Sequence, residues 1–155
     1  MILKGAVVMP AGSGKTTLSK KYKNIYDIDS LHSKGDEIKL NNLYKEVSLS
    51  GNWEIYNKYE ISLIKEKINN LLTPFLLLLH CKEKADLLNL TYLGACKTSK
   101  NIMEKIATER GKTNKLREEM TRNNWTHIDA NIFESHEAIN KYIIDLCKQN
   151  KINIY

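Results

Sequence analysis

The chain has 155 residues, 42% of them hydrophobic, and a formal charge of +6. That is enough for one domain with a real core and too apolar for a disordered chain. The positive balance suits partners that carry phosphate. The three cysteines, Cys81, Cys96 and Cys147, are odd in number and far apart, so neither a disulfide framework nor a zinc site is indicated, and free thiols in a reducing cytoplasm are expected. The four histidines form no HExxH spacing. Met1-Ile2-Leu3-Lys4 runs straight into apolar sequence with no signal peptide, and the run Phe75 to Leu79 is too short to span a bilayer. A cytoplasmic protein without membrane partners is the expectation.

Ile2 to Met9 is apolar, contains Val7-Val8 and is bounded by Pro10 and Gly12. It reads as a strand buried on both faces, the mark of a parallel sheet. A helix follows over Thr16 to Tyr22, then a short strand from Asn24 to Ile28. Leu40, Leu43, Tyr44 and Val47 lie at helical spacing. A longer helix is expected from Trp53 to Leu72, with Ile55, Tyr59, Leu63, Ile64, Ile68 and Leu71 on one face, Asn52 as its N-cap and Pro74 as its stop. Phe75 to His80 is a third strand, Lys82 to Leu88 a short helix and Leu90 to Ala95 a fourth strand. Ser99 caps a helix carrying Ile102, Met103, Ile106 and Ala107, which Gly111 ends. Lys112 to Asn124 is polar and basic, with Leu116 and Met120 one turn apart, and is expected to bury little. Thr126 to Asp129 reads as a fifth strand and Glu134 to Lys148 as a closing helix, with Ile139, Tyr142, Ile143 and Leu146 inward. Lys151 to Tyr155 alternates weakly, as an edge strand or a frayed end. Alternating strands and helices make an α/β domain with right-handed crossovers, and no linker or repeat divides residues 1–155.

The chemistry is concentrated in Met9-Pro10-Ala11-Gly12-Ser13-Gly14-Lys15-Thr16. The second half of the Walker A pattern GxxxxGK[ST] is intact, and Met9 stands where the first glycine would be. Gly12 and Gly14 let successive backbone N–H groups turn into one anion-sized hollow, and the helix that starts there adds its positive end. Lys15 can reach phosphate oxygens and the Thr16 hydroxyl can ligate Mg²⁺. Ala11, Gly12, Ser13, Gly14, Lys15, Thr16 and Thr17 form the expected nucleotide-binding set. The strand before this loop and the helix after it are the context the motif requires.

With this loop, with Tyr26-Asp27-Ile28-Asp29 closing the second strand, with Leu90 to Ala95 and the helix ending Glu109-Arg110-Gly111, and with Thr126-His127-Ile128-Asp129-Ala130, the chain resembles the P-loop nucleoside and nucleotide kinases. The nearest look-alikes are small members such as shikimate and gluconate kinases and the 5′-hydroxyl kinase domains of polynucleotide kinases. The resemblance implies a three-layer P-loop NTPase fold: a five-stranded parallel sheet in the order 2-3-1-4-5 with helices on both faces. It implies ATP, or another nucleoside triphosphate, and Mg²⁺ as cofactors. It implies phosphoryl transfer to a small acceptor, with a nucleoside, a nucleotide or a nucleic-acid 5′-hydroxyl favoured.

By the same resemblance Asp29 faces the acceptor hydroxyl and Asp27 belongs to the metal's outer shell, two residues apart on one face of a strand. The only arginines are Arg110, Arg117 and Arg122. All three fall in the segment that corresponds to a lid, about 110–124, where a guanidinium fork would meet the transferring phosphoryl group. Arg110 and then Arg117 match the lid arginines best. Residues from about 31 to 72 would form the acceptor side. His80 and Cys81 end the third strand at the edge of the sheet where ligands gather. Trp53 and Tyr56 are expected to pack rather than to stack on a base. No acidic residue ends the third strand in Walker B fashion, which argues against a motor ATPase. The alternatives are a nucleotide hydrolase without an acceptor and a nucleic-acid-binding module that keeps the loop.

Overall fold

The computed structural model describes residues 2–10, 12–122 and 129–155. Its elements in chain order are β1 (Lys4–Val8), α1 (Lys15–Lys21), β2 (Ile25–Asp27), a 3-10 turn (Ile28–Leu31), α2 (Lys34–Ser50), α3 (Trp53–Asn69), β3 (Phe75–Leu79), α4 (Lys82–Leu87), β4 (Thr91–Thr98), α5 (Lys100–Glu109), α6 (Thr113–Arg122), β5 (Asn131–Phe133) and α7 (His136–Gln149). The five strands form one parallel sheet in the order β2-β3-β1-β4-β5, as the resemblance implies.

Alternation along the central strands explains the continuous apolar runs. Val7, Leu76 and Leu78 face a layer made by Leu18 of α1, Ile139, Ile143 and Cys147 of α7, and Ile152 and Ile154 beyond it. Ala6, Phe75, Leu77 and Leu79 face the other layer, made by Ile61, Ile64 and Ile68 of α3 and by Ala85 of α4. Every residue of β3 is therefore buried, because each side of the pleat meets a helix. A smaller core joins Met103 and Ala107 of α5 to Leu116 of α6, with Met120 packed against it.

Several expectations change. The fifth strand lies at Asn131–Phe133, beyond the expected stretch, of which 126–128 fall outside the described residues. Neither Asn52 nor Ser99 makes a side-chain capping bond. The caps that form are Ser33, in a reciprocal capping box with Asp36, and Ser135, which accepts from the Ala138 N–H. The buried stripe of α3 is Asn57, Glu60, Ile61, Ile64 and Ile68, while Ile55 is 52% exposed. The stripe keeps its helical period and turns polar toward the N-terminal end of α3. The segment 151–155 forms neither an edge strand nor a frayed end, since Ile152 and Ile154 are buried and the Ile154 carbonyl accepts from the Lys23 N–H at 3.1 Å. All three cysteines are free and buried. Among the described residues no helix is long and apolar enough to cross a membrane.

Candidate active site

The C-terminal ends of the parallel strands point into a cavity of about 330 Å³, where ligands of open α/β sheets bind. The loop after β1 forms its floor. The Met9 N–H donates to the Leu79 carbonyl at 2.8 Å, so the sheet extends by one residue before the chain turns. Met9 itself is fully buried in the core, which explains a large apolar residue where the motif usually has glycine. Gly12 and Gly14 have φ of 77° and 93°, the left-handed region where a side chain is strained. Gly14 is also the N-cap of α1. Gly12, Gly14, Lys15, Thr16 and Thr17 line the cavity. Ser13 does not: its side chain is buried and its hydroxyl has no hydrogen-bond partner. Ala11 lies outside the described residues.

Lys15 is folded back on its own loop. Its ammonium donates to the carbonyls of Met9 at 3.2 Å and Pro10 at 2.9 Å and is buried. Burial lowers its pKa, and the carboxylates of Glu119, Asp29 and Asp27 oppose that shift. Thr16 Oγ1 donates to Asp27 Oδ2 at 2.7 Å, and Asp27 Oδ1 accepts from the Asp29 N–H at 3.2 Å. Asp27 thus holds the hydroxyl that precedes it and caps the turn that follows it. A hydroxyl beside a carboxylate, both lining the cavity, is a set of hard oxygen donors that fits Mg²⁺.

The expectation that Asp27 and Asp29 share a strand face fails in its geometry. β2 ends at Asp27, and Asp29 belongs to the 3-10 turn. The turn nevertheless delivers both carboxylates to the same cavity. Asp29 is exposed, and its Oδ2 lies 3.2 Å from His80 Nε2. Desolvation by its surroundings raises its pKa, but His80, Lys15 and Lys84 together hold it well below the usual carboxylate range.

The roof comes from α5 and α6. Arg110, the C-cap of α5, lines the cavity together with Lys112, Lys115, Leu116 and Glu119. Arg117 is exposed on α6 and absent from the lining, because the helix turns Leu116 and Glu119 inward. The expectation that this segment buries little holds over the described residues 112–120, where Leu116 and Glu119 alone are buried. The end of the expected lid, 123–124, lies outside the described residues. Trp53 and Tyr56 pack with Tyr44 as a ring cluster, with centroids 5.3 to 6.2 Å apart, and Tyr44 donates to Glu118 of α6.

Three features went unread in the sequence, and Cys81 sits otherwise than expected. His136, at the start of α7, donates from Nε2 to the Gly12 carbonyl at 2.9 Å. Glu119 supplies a buried carboxylate near Lys15. Cys81, expected near the sheet edge, is buried, and only its neighbour His80 lines the cavity. Behind Asp29 lies a buried polar cluster: Lys84 Nζ contacts Glu60 Oε1 at 2.5 Å, and Glu60 Oε2 meets His32 Nε2 at 3.0 Å. Asp29, His32 and Glu60 bring ligand atoms within 4.8 Å of one another, but the Lys84 ammonium already neutralises Glu60 there and repels a second cation.

No family model matches the sequence, and no curated protein does. The structure is similar to that of an unliganded sugar kinase from Janibacter sp. HTCC2649, with a TM-score of 0.55, 11% identity and 99% of each chain covered. An uncharacterized protein from Eubacterium ventriosum ATCC 27560 superposes with a TM-score of 0.47 at 13% identity, over 96% of this chain and 99% of that one. At these identities the first likeness establishes the fold alone, and the second carries no argument.

Proposed function

We propose that this chain transfers a phosphoryl group from ATP, or another nucleoside triphosphate, to the hydroxyl of a small acceptor. The observation that carries the reading is one cavity holding a glycine-turned loop, a lysine folded back on it, a hydroxyl–carboxylate pair, a second, exposed carboxylate and an arginine at the end of α5. The fold likeness to a sugar kinase supports the same reaction class. A nucleoside, a nucleotide or a nucleic-acid 5′ end remains the favoured acceptor, and a sugar hydroxyl would meet the same groups.

In this reading Lys15 leaves the carbonyls of Met9 and Pro10 for phosphate oxygens. Thr16, with Asp27 behind it, would hold Mg²⁺, which neutralises phosphate charge. Asp29 accepts a hydrogen bond from the acceptor hydroxyl and takes its proton late, since phosphoryl transfer has a loose transition state in which orientation outweighs basicity. Arg110 offers a planar fork to the transferring group. The test is nucleotide titration by calorimetry, followed by product analysis with nucleosides, nucleotides, 5′-hydroxyl oligonucleotides and sugars. Saturable Mg²⁺-dependent ATP binding with one phosphorylated acceptor is expected. ATP consumed only into free phosphate would favour the hydrolase, and no nucleotide binding would remove the proposal.

A further inference from the structure

A run of four side chains, His80, Lys84, Glu60 and His32, leads away from Asp29 into the protein, and its chemistry has a direction. His80 Nε2 lies 3.2 Å from Asp29 Oδ2, and His80 Nδ1 lies 3.5 Å from Lys84 Nζ. An ammonium has only hydrogens to offer, so it meets the ring at an acceptor nitrogen. The hydrogen of the neutral ring is then on Nε2, facing the Asp29 carboxylate. Lys84 sits one turn beyond His80 at the start of α4 and is 3% exposed, while Glu60 on α3 is 2% exposed. The Lys84–Glu60 contact of 2.5 Å fixes the ammonium, and His32 at 3.0 Å fixes the other oxygen of Glu60. A buried ion pair of this kind is poor value for stability alone, because desolvation cancels much of the attraction.

We propose that Lys84, anchored by Glu60, is a positioning residue that locks His80 as an Nε2–H donor and through it aims the Asp29 carboxylate at the acceptor. The catalytic meaning rests on the kinase reading above; the tautomer does not. Asp29 is exposed and sits in a short turn, so without this bond its side chain samples several rotamers. Misplacing a reacting group by about 1 Å costs up to ~100-fold in rate. Asp29 Oδ1 is left for the acceptor hydroxyl.

Two measurements test the relay. Long-range ¹⁵N–¹H correlation of histidine-labelled protein at neutral pH should show His80 as the Nε2–H tautomer, its signals identified by their loss in His80→Gln. The Asp29 carboxylate still faces Nε2 in the double variant Lys84→Met/Glu60→Gln, which removes both charges and strands neither, so the bias there should shrink toward that of a free neutral imidazole. An Nδ1–H, doubly protonated or mixed ring in the wild type, or a bias undiminished in the double variant, overturns the proposal. In turnover, His80→Phe should lower kcat ~10–100-fold with the KM for ATP unchanged. His80→Gln, whose amide N–H replaces Nε2–H, should recover part of the loss. Equal kcat in the wild type and His80→Phe, or equal losses in Phe and Gln, overturns it as well. If no acceptor is ever phosphorylated, the kinase reading fails while the spectra still judge the relay.

Discussion

At the residue scale the cavity is a set of charges held in reserve. Lys15 rests on two carbonyls, a partnership that a phosphate would outbid. Lys15→Ala should lower transfer by at least ~100-fold, the scale for removing one donor to transition-state charge, with nearly unchanged far-ultraviolet circular dichroism. Asp29→Asn should lower kcat ~10²–10⁴-fold while calorimetry shows ATP binding intact. Glu60 gives a pH prediction of its own. Burial raises its pKa, but His32 and Lys84 outweigh burial and bring it from an ordinary 4.5 down to about 2. A depressed carboxyl pKa adds stability that is complete above pH 4.5 and lost as pH falls toward 2. Urea unfolding between pH 7 and 3 should therefore show a steeper loss in the wild type than in Lys84→Met/Glu60→Gln. The loop residues stood out in the sequence, because glycine, lysine and threonine at this spacing have few other uses, whereas Asp27 was singled out through the resemblance. Glu60, Glu119 and His136 were not: each reaches the site through a fold that brings distant residues together, and a glutamate on a helix usually faces water. The signal for Glu60 existed in the period of α3, since stepping back from Ile68 through Ile64 arrives at Glu60 and Asn57.

At the element scale the contrast is between α3 and α6. α3 lays Ile61, Ile64 and Ile68 on the sheet, whereas α6 rests on α5 through Leu116 and Met120. Fewer buried apolar groups mean a lower free energy of local opening. Amides of α6 should exchange faster than those of α3, and a non-hydrolysable ATP analogue should protect α6 the more. Equal protection with and without the analogue would deny the lid role. Arg110→Ala should then cut kcat more than it weakens ATP binding, with lysine a partial rescue because it lacks the fork. The strand–helix order was readable from β1 to α5, since long apolar runs and helical periods carried it. β5 was misplaced because a three-residue edge strand, Asn131-Ile132-Phe133, has too little apolar sequence to stand out; Ile132 itself is 60% exposed.

For the whole molecule, the two apolar layers are closed by residues far apart in the chain. Ile152 and Ile154 complete the layer that carries α1, and the Asn153 carbonyl accepts from Asn24 Nδ2 at 2.6 Å. Ile154→Ala should cost ~2–5 kcal/mol in urea unfolding, although the residue lies outside every element. The centre of the sheet carries a different consequence. β1 pairs Lys4 with Phe75 and Gly5 with Thr91, so the strand that leads into the glycine loop waits for partners some seventy to eighty-five residues downstream. Pairings of such long range form late and slowly. A nucleotide that recognises only the finished loop has nothing to hold in the folding transition state. It should lengthen the lifetime of the native protein, seen as slower unfolding in stopped-flow mixing, and leave the rate of refolding as it was. For this chain the ligand would be a lock and not a template.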